Sequence, residues 1–423
     1  MRLAVIEPTP FGGLLHYATQ LADALAERGN EVDLIVTRDQ ELAHRSGAAR
    51  RRPLLAAGAS RQEAKAGSLR SVTRRAHTAV RLARTWGRIA REVRVGGYDA
   101  VLLNGSLDMA LTAGGARLAT AVSGSTPVAH VCHNVRPFNR WGGDDLFVSS
   151  GLTLSMLRRA YPSFDLLFLH GERSVREYEE TWPPTRLAAI PHGDEGIFAA
   201  TPPAPSDEER ILFFGSWYRQ KGLPVLLEAF DALSARRPGA RLTIAGPSVP
   251  EEGETDHVLR WAAERPGLVE VRPGYVPVED VPELFRRARV VAMPYLASYQ
   301  SGVVHLAMTM SRAVVATDVG DLGAAIVDGE TGLMVAPRDP VALAAALETV
   351  VGDAELAARM GAAGHTRVMT GSSWSTVAER VERHLADLVG ADHSRLSLAA
   401  ASALARSETP IEEAACTAPS YPR

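Results

Sequence analysis

Two α/β domains joined by a short linker and facing each other across a cleft are what this sequence predicts, on three observations. The order strand, glycine turn, helix, strand opens the chain, and the same order restarts after residue 210. Between the two lies ATPPAPSDEER (Ala200–Arg210), a linker by its proline and charge. At 423 residues, 46% hydrophobic and 22% charged, the chain has the composition of a soluble globular protein and is too long for one compact core.

The elements follow in order. RLAVIEP (Arg2–Pro8) reads as a short parallel strand, FGG (Phe11–Gly13) as its turn, and Leu14, Ala18, Leu21 and Leu25 recur at helical spacing before the strand EVDLIVT (Glu31–Thr37). DAVLLNG (Asp99–Gly105), PVAHVCHN (Pro127–Asn134), DLLFLHG (Asp165–Gly171) and LAAIPHG (Leu187–Gly193) continue as apolar strands ending in small or polar residues. The second half repeats the pattern. ILFFGS (Ile211–Ser216), a helix around GLPVLLEAFDAL (Gly222–Leu233), RLTIAGP (Arg241–Pro247), LVEVRPGYV (Leu268–Val276), VVAMPY (Val290–Tyr295), AVVATDVG (Ala313–Gly320) and TGLMVAP (Thr331–Pro337) succeed one another. Expected boundaries are 1–199 and 211–372 for the two Rossmann-like domains, 373–390 for a terminal helix, and 391–423 for a tail whose Ala/Ser/Pro/Thr richness is that of a disordered segment. In such sheets the carboxyl ends of the strands face the ligand crevice.

Several classes drop out. Cys132 and Cys416 are far apart, so no disulfide framework or zinc pattern is read, and Cys132 is expected in a buried strand. The start MRLAVIEP lacks the hydrophobic region of a signal peptide, and no apolar run reaches the roughly 18 residues of a membrane span. A cytoplasmic location is the expectation. Net charge is −3, yet Arg45–Gly97 holds 14 Lys/Arg against 2 Asp/Glu. The remainder is therefore acidic.

One stretch points to chemistry. Gln300-Ser301-Gly302 follows the strand ending at Tyr295 and opens a helix, so the backbone N–H groups of Ser301, Gly302 and Val303 would meet an anion with the positive end of the helix dipole. A Gln-Ser-Gly turn also serves plain helix entry. Context decides between the two readings.

FFGSWYRQKGLPVLLEAF, RLTIAGP, GYVPVEDVPELFRRARVVAMPY, QSGVVHLAM and AVVATDVGDLGAAIVDGETGLMVAPRDPVALAAAL resemble, in order and spacing, the donor-binding domain of the GT-B retaining glycosyltransferases of family four. The Gly-Gly turn, CHNVRP and IPHGDEGIF of the first half are similar to the same family, and the resemblance covers Arg2 to Leu388. It implies the GT-B fold, a sugar-nucleotide donor in the C-terminal half, an unidentified acceptor in the N-terminal half, and transfer with retention of configuration, with no cofactor and no required metal. The acceptor classes it implies are lipid-linked, polysaccharide or secondary-metabolite intermediates of a bacterial cell. By the match of motifs, Lys221 contacts the donor diphosphate and Arg219 is a second cation. His133 lies near the reacting sugar. Gly12, Gly13, Ser216, Gln300, Ser301, Gly302 and Val303 line the donor, and Arg272, Tyr275 and Val276 sit where the family holds the base. WSTVAERVERHLADL (Trp374–Leu388) resembles the terminal helix that crosses back to the first domain.

Two departures stand out. The Glu-x7-Glu pair that many members carry falls here on Ser298 and Leu306, which places the chain with a Gln-Ser-Gly-Val subgroup and leaves Gln300 as a substitute contact. The arginine often found after Phe-Gly is Ser216. A non-catalytic sugar-nucleotide-binding protein is the alternative those losses keep open.

The basic run has its own pattern. Val72, Ala76, Ala79, Ala83, Trp86, Ala90 and Val93 form one stripe, and Arg74, Arg75, Arg81, Arg84, Arg88, Arg91 and Arg94 the opposite face of a helix over 72–94. It reads either as a solvated surface helix or as a surface resting on anionic lipid headgroups that brings the protein to the inner face of the plasma membrane. No nucleic-acid reader motif accompanies it.

Overall fold

The computed structural model describes residues 1–55, 84–105, 109–123, 125–138, 146–148, 151–198, 201–248 and 254–390. The tail 391–423 and the part of the arginine-rich helix before residue 84 lie outside the described residues.

Seven strands build the first sheet: β1 (Arg2–Ile6), β2 (Glu31–Thr37), β3 (Arg50–Leu55), β4 (Ala100–Gly105), β5 (Val128–Cys132), β6 (Leu166–Leu169) and β7 (Leu187–Ala189). All pair in parallel, in the order β3-β2-β1-β4-β5-β6-β7. Helices cover both faces, which is why β1, β2, β4, β5 and β6 are predominantly apolar, with Asp33, Asn104 and His130 as buried polar exceptions. Those helices are α1 (Gly13–Glu27), α2 (84–96), α3 (Met109–Val122), α4 (Gly151–Ala160) and α5 (Glu172–Thr181). The second sheet joins β8 (Arg210–Phe214), β9 (Arg241–Gly246), β10 (Val269–Pro273), β11 (Val290–Met293), β12 (Ala313–Thr317) and β13 (Gly332–Val335) in the parallel order β10-β9-β8-β11-β12-β13. Around it lie α6 (Leu223–Arg236), α7 (Glu254–Ala263), α8 (Val281–Arg287), α9 (Gly302–Thr309), α10 (Leu322–Ala325), α11 (Pro340–Gly352) and α12 (Ala354–Gly371).

Strand order reverses between β1 and β4 in one sheet and between β8 and β11 in the other. A crevice opens outside the carboxyl ends at each such switch point.

The described part of the basic run holds a strand ahead of the expected helix. Its first part is β3, whose sequence RRRPLL suits a sheet edge, where Pro53 costs no ladder bond. Buried Asp33 of β2 accepts bonds from Arg50 (Nε, 2.5 Å), Arg52 (Nη1, 3.3 Å) and the Tyr98 hydroxyl (2.5 Å). Part of the positive charge is thus absorbed by the domain's own fold. In α2, Trp86, Ile89, Ala90 and Val93 are buried, and Arg84, Arg88, Arg91 and Arg94 are exposed.

α13 (Trp374–Gly390) returns to the first domain. Val377, Ala378, Val381, Leu385 and Leu388 pack in one core with Leu15, Leu21 and Leu25 of α1, and Arg28 bonds Glu382 at 2.6 Å. The linker is also tied down. Arg312, buried in the second domain, donates to the carbonyls of Pro203 and Ala204, and Arg289 to those of Ser206 and Asp207.

Tyr299 knits the domains from the other side. Its ring sits in the core of the first domain, 5.7 Å from Phe138 and 5.9 Å from Phe147 between centroids. Its hydroxyl accepts from Arg136 N (3.0 Å) and donates to Glu177 Oε1 (2.8 Å). Asp321 adds a second clasp by accepting the backbone N–H groups of Arg173 (3.1 Å) and Ser174 (2.8 Å) at the start of α5.

Gly222, which ends the short 3-10 turn Arg219–Lys221, has φ +65°, and a β-carbon there would meet the Pro294 carbonyl oxygen at 1.9 Å. Gly222→Ala is therefore expected to lower stability by about 2 kcal/mol, through left-handed strain and the forced opening of that contact. An unchanged urea midpoint would show that the turn is not pinned there.

Candidate functional site

At the β8–β11 switch point, two loops are fastened to each other. The amide of Leu296 donates to the Gln220 carbonyl at 2.8 Å, so the segment leading from β11 to α9 is held against the turn carrying Arg219 and Lys221. Between them stands Tyr295, a residue the motif order does not single out. The Lys221 ammonium lies 3.7 Å from its ring centroid, and its hydroxyl lies 3.3 Å from Ser301 Oγ. Ser301 in turn caps α9, accepting the Val303 N–H at 3.3 Å. Lys221 and the N-terminus of α9 thus meet across one aromatic side chain, with a cation and a helix dipole directed to the same crevice.

Other sequence-predicted residues assemble around this pair. The Gly215–Ser216 turn adjoins α9, since a β-carbon on Gly215 would touch Val303 at 3.8 Å. The Gln300 side-chain oxygen is buried and makes no hydrogen bond among the described residues. Arg219 is half-buried. Arg272 belongs to β10 rather than to the loop after it, and it bonds Glu270 at 2.6 Å. Tyr275 and Val276 are on that loop, and Tyr275 reaches the first domain, donating to Glu41 (2.5 Å) and meeting the Phe11 ring edge-on. Of the two positions where carboxylates are absent, Ser298 bonds the Gln300 carbonyl at 3.0 Å. Leu306 is buried in the core of the second domain.

The opposing wall comes from the first domain. Gly12 has φ +85° at the start of α1, and its N–H donates to Glu41 Oε1 at 2.5 Å. Glu41 also accepts from His16 (2.7 Å). Burial opposes ionisation, but the bonds from His16, Tyr275 and the Gly12 amide outweigh it and hold the carboxyl below its ordinary range. The Gly12 amide is therefore engaged with the protein's own carboxylate in this arrangement; Gly13 has open space around its Cα.

His133 follows β5 and is buried. Its Nε2 lies 2.7 Å from Asn104 Oδ1. The amide nitrogen of Asn104 donates to the Leu14 carbonyl (3.0 Å) and to Glu7, so the oxygen must face His133 and His133 must carry its proton on Nε2. The Nδ1 atom is left as an acceptor. Burial pushes Glu7 up to about 7, against the bonds it receives from Thr9 and Asn104. Around Tyr17 the rings of His133, His170 and His192 gather at centroid distances of 4.9 to 5.2 Å, and His305 of α9 stacks on His192 at 4.9 Å. Among the described residues, no three His, Cys, Asp or Glu side chains converge in the manner of a metal site.

Asn104, His170, His192 and Glu195 form a group that the sequence motifs do not assign. A signal existed: each stands at or just beyond the carboxyl end of a strand, in LLNG, LFLHG and IPHGDE. Tyr295 also stands just beyond a strand end and Tyr299 follows it, but an aromatic residue in such a place reads equally well as core.

Acid should unfold this protein steeply. Burial pushes His130 and His192 down to about 4 and His170 to about 3, and it holds His133 and His305 well below 6.5. Unfolding below pH 6.5 therefore takes up protons on these five rings. Glu7, about 7, and Glu195, about 8, oppose the trend, because the folded state already holds their protons. The excess is about three protons, or roughly 4 kcal/mol per pH unit at most between pH 6 and 5. Urea titrations at pH 7, 6 and 5.5 should show that loss; a flat profile would contradict neutral buried histidines.

Comparison with known proteins places these domains. Residues 11–193 match the family model "Glycosyltransferase Family 4", and residues 208–353 match "Glycosyl transferases group 1". Among curated relatives, the glycogen synthase of Mycobacterium tuberculosis is 32% identical over 184 residues, 43% of each chain. The alpha-maltose-1-phosphate synthase of Mycolicibacterium smegmatis is 31% identical over 245 residues, 55% of this chain and 60% of that one. The D-inositol 3-phosphate glycosyltransferase of Paenarthrobacter aurescens is 38% identical over 160 residues, 37% of this chain and 38% of that one. The matched region thus spans about half the length of such relatives. The sucrose-phosphate synthase of Thermosynechococcus elongatus superimposes with a TM-score of 0.70 at 20% identity, covering 92% of this chain and 98% of that one. Anabaena HepE, solved in complex with UDP-glucose, gives 0.68 at 14% identity, covering 92% and 100%. The chain has the GT-B fold, and its first and second domains match the glycosyltransferase family 4 and glycosyl transferases group 1 models, in that order.

Proposed function

We propose that this protein is a glycosyltransferase that takes a sugar from a nucleoside diphosphate held by the C-terminal domain and passes it, with retention of configuration, to an acceptor bound by the N-terminal domain. The observation that carries this reading is the convergence of Lys221 and the α9 N-terminus on the β8–β11 crevice, with Tyr295 between them. A departing diphosphate gains negative charge as the glycosidic bond breaks. Lys221 and the first-turn amides of α9 would receive that charge already oriented, and no metal is needed in such an arrangement. On the acceptor side, neutral His133 offers Nδ1 to a hydroxyl of the substrate, its tautomer set by Asn104. Relatives named glycogen synthase and D-inositol 3-phosphate glycosyltransferase support the reaction class.

Titration with UDP-, GDP- and ADP-sugars and the free diphosphates by calorimetry tests the donor half. One nucleotide series should bind at micromolar affinity, and Lys221→Ala should weaken it at least tenfold and abolish turnover without changing the thermal midpoint. Equal binding by the variant would count against the assignment.

The reading extends to a lipid-linked acceptor approached at an anionic membrane. Exposed Arg84, Arg88 and Arg91 on α2 support a peripheral contact, and among the described residues no helix is long and apolar enough to cross a membrane. Sedimentation at low salt should then occur with anionic vesicles and not with neutral ones; equal recovery with both would remove the membrane from the picture.

A further inference from the structure

Glu195 lies just beyond β7 in the first domain and is only 4% exposed, yet its carboxyl is directed at the second domain. Three contacts fix it there. Its backbone N–H donates to Thr309 Oγ1, on the last residue of α9, at 3.0 Å. Gln20 of α1 donates to its Oε2 at 3.3 Å, and the other end of the Gln20 amide accepts from Ile197 N at 2.9 Å. The remaining oxygen, Oε1, has no hydrogen-bond partner among the described residues. It stands 3.1 Å from where a β-carbon on Gly302 would be, against the first turn of α9. Gly302 carries no side chain to cover it. The buried, unpartnered side-chain oxygen of Gln300 lies two residues before that glycine.

A carboxylate in this place would compete with a diphosphate for the same helix end. The fold avoids the conflict: burial, helped by neighbouring Asp194 and opposed by the Gln20 bond, raises Glu195 to about 8, so at neutral pH it holds a proton. His192, which also faces Gly302, is kept neutral by burial. An uncharged carboxylic acid beside a bound phosphate can donate its O–H to a hydroxyl oxygen without repelling the phosphate.

We propose that Glu195 is a donor-sugar contact supplied by the acceptor domain, hydrogen-bonding a hydroxyl of the sugar attached to the diphosphate at α9. This assignment rests on the sugar-nucleotide reading above and deepens it. Its consequence is that Glu195 acts on the sugar of the sugar nucleotide and not on the free diphosphate, which has no sugar hydroxyl to offer it.

Calorimetry with UDP, GDP, ADP, UDP-glucose, GDP-mannose and ADP-glucose separates the cases. Glu195→Ala should weaken the best-bound sugar nucleotide about tenfold relative to wild type while leaving the corresponding free diphosphate within about twofold. Glu195→Gln should restore most of the sugar-nucleotide affinity. Its amide oxygen would face the Gln20 donor, leaving the NH2 group toward the ligand where the acid presents its O–H. Thermal midpoints of both variants report any loss of fold. Equal weakening of sugar nucleotide and free diphosphate would show a merely structural residue and overturn the assignment, as would unchanged binding of both in Glu195→Ala. Absence of binding to the wild-type protein would overturn the sugar-nucleotide reading itself, and this assignment with it.

Discussion

The ring of Tyr299 crosses from the C-terminal domain into the core of the N-terminal one, and the geometry of the crevice depends on that crossing. It lies three residues before α9 begins, so burying it fixes where the helix N-terminus stands relative to the opposite wall. Burial and the adjacent Glu177 push its hydroxyl well above the ordinary tyrosine range, so it stays protonated and remains a donor to Glu177. With Asp321 seated on the first amides of α5, α13 packed on α1, Tyr275 bonded to Glu41 and the Glu195 amide to Thr309, the two domains are joined at several places around the site. Each contact is small beside a domain core. Together they set the spacing of charged groups that a reaction between two bound substrates requires.

Within that frame the two walls have different electrostatic characters. The second domain offers a cation and a helix N-terminus, both suited to an anion. The first domain presents buried groups kept neutral: His133, His170 and His192 without a second ring proton, Glu7 and Glu195 with their carboxyl protons at or near neutral pH. Apart from the Glu41 carboxylate, which His16, Tyr275 and the Gly12 amide engage, a neutral hydrogen-bonding wall stands opposite a cationic one and favours a ligand that is charged at one end and hydroxylated at the other. Sugar nucleotides have that form, and the division explains why losing carboxylates at Ser298 and Leu306 need not empty the site. Leu306 in fact serves the core.

Much of the fold was legible before any coordinates. Parallel strands buried on both faces are largely apolar, and turns such as Gly12 and Gly222 adopt positive φ, so strands and turns announce themselves locally. The exception is β3. RRRPLL reads as surface because its pattern is an edge strand's, and its charges make sense only once Asp33 and Tyr98 are seen to receive them. Motif order likewise placed Lys221, Ser301 and His133 near strand ends, but it was silent on Glu195, whose carboxyl meets α9 only when the two domains face each other.

By itself the sequence determined the alternation of strand and helix, the division into two halves, and the residues at the carboxyl ends of strands, because each is a property of neighbours along the chain. Tertiary structure decided the rest. It set the tautomer of His133 through Asn104 and Leu14, the engagement of the Gly12 amide by Glu41, and the meeting of Glu195 with Gly302, which lies 107 residues away. Hydrogen bonds and burial act through distances of a few ångströms, and no local pattern encodes which distant groups will be brought that close.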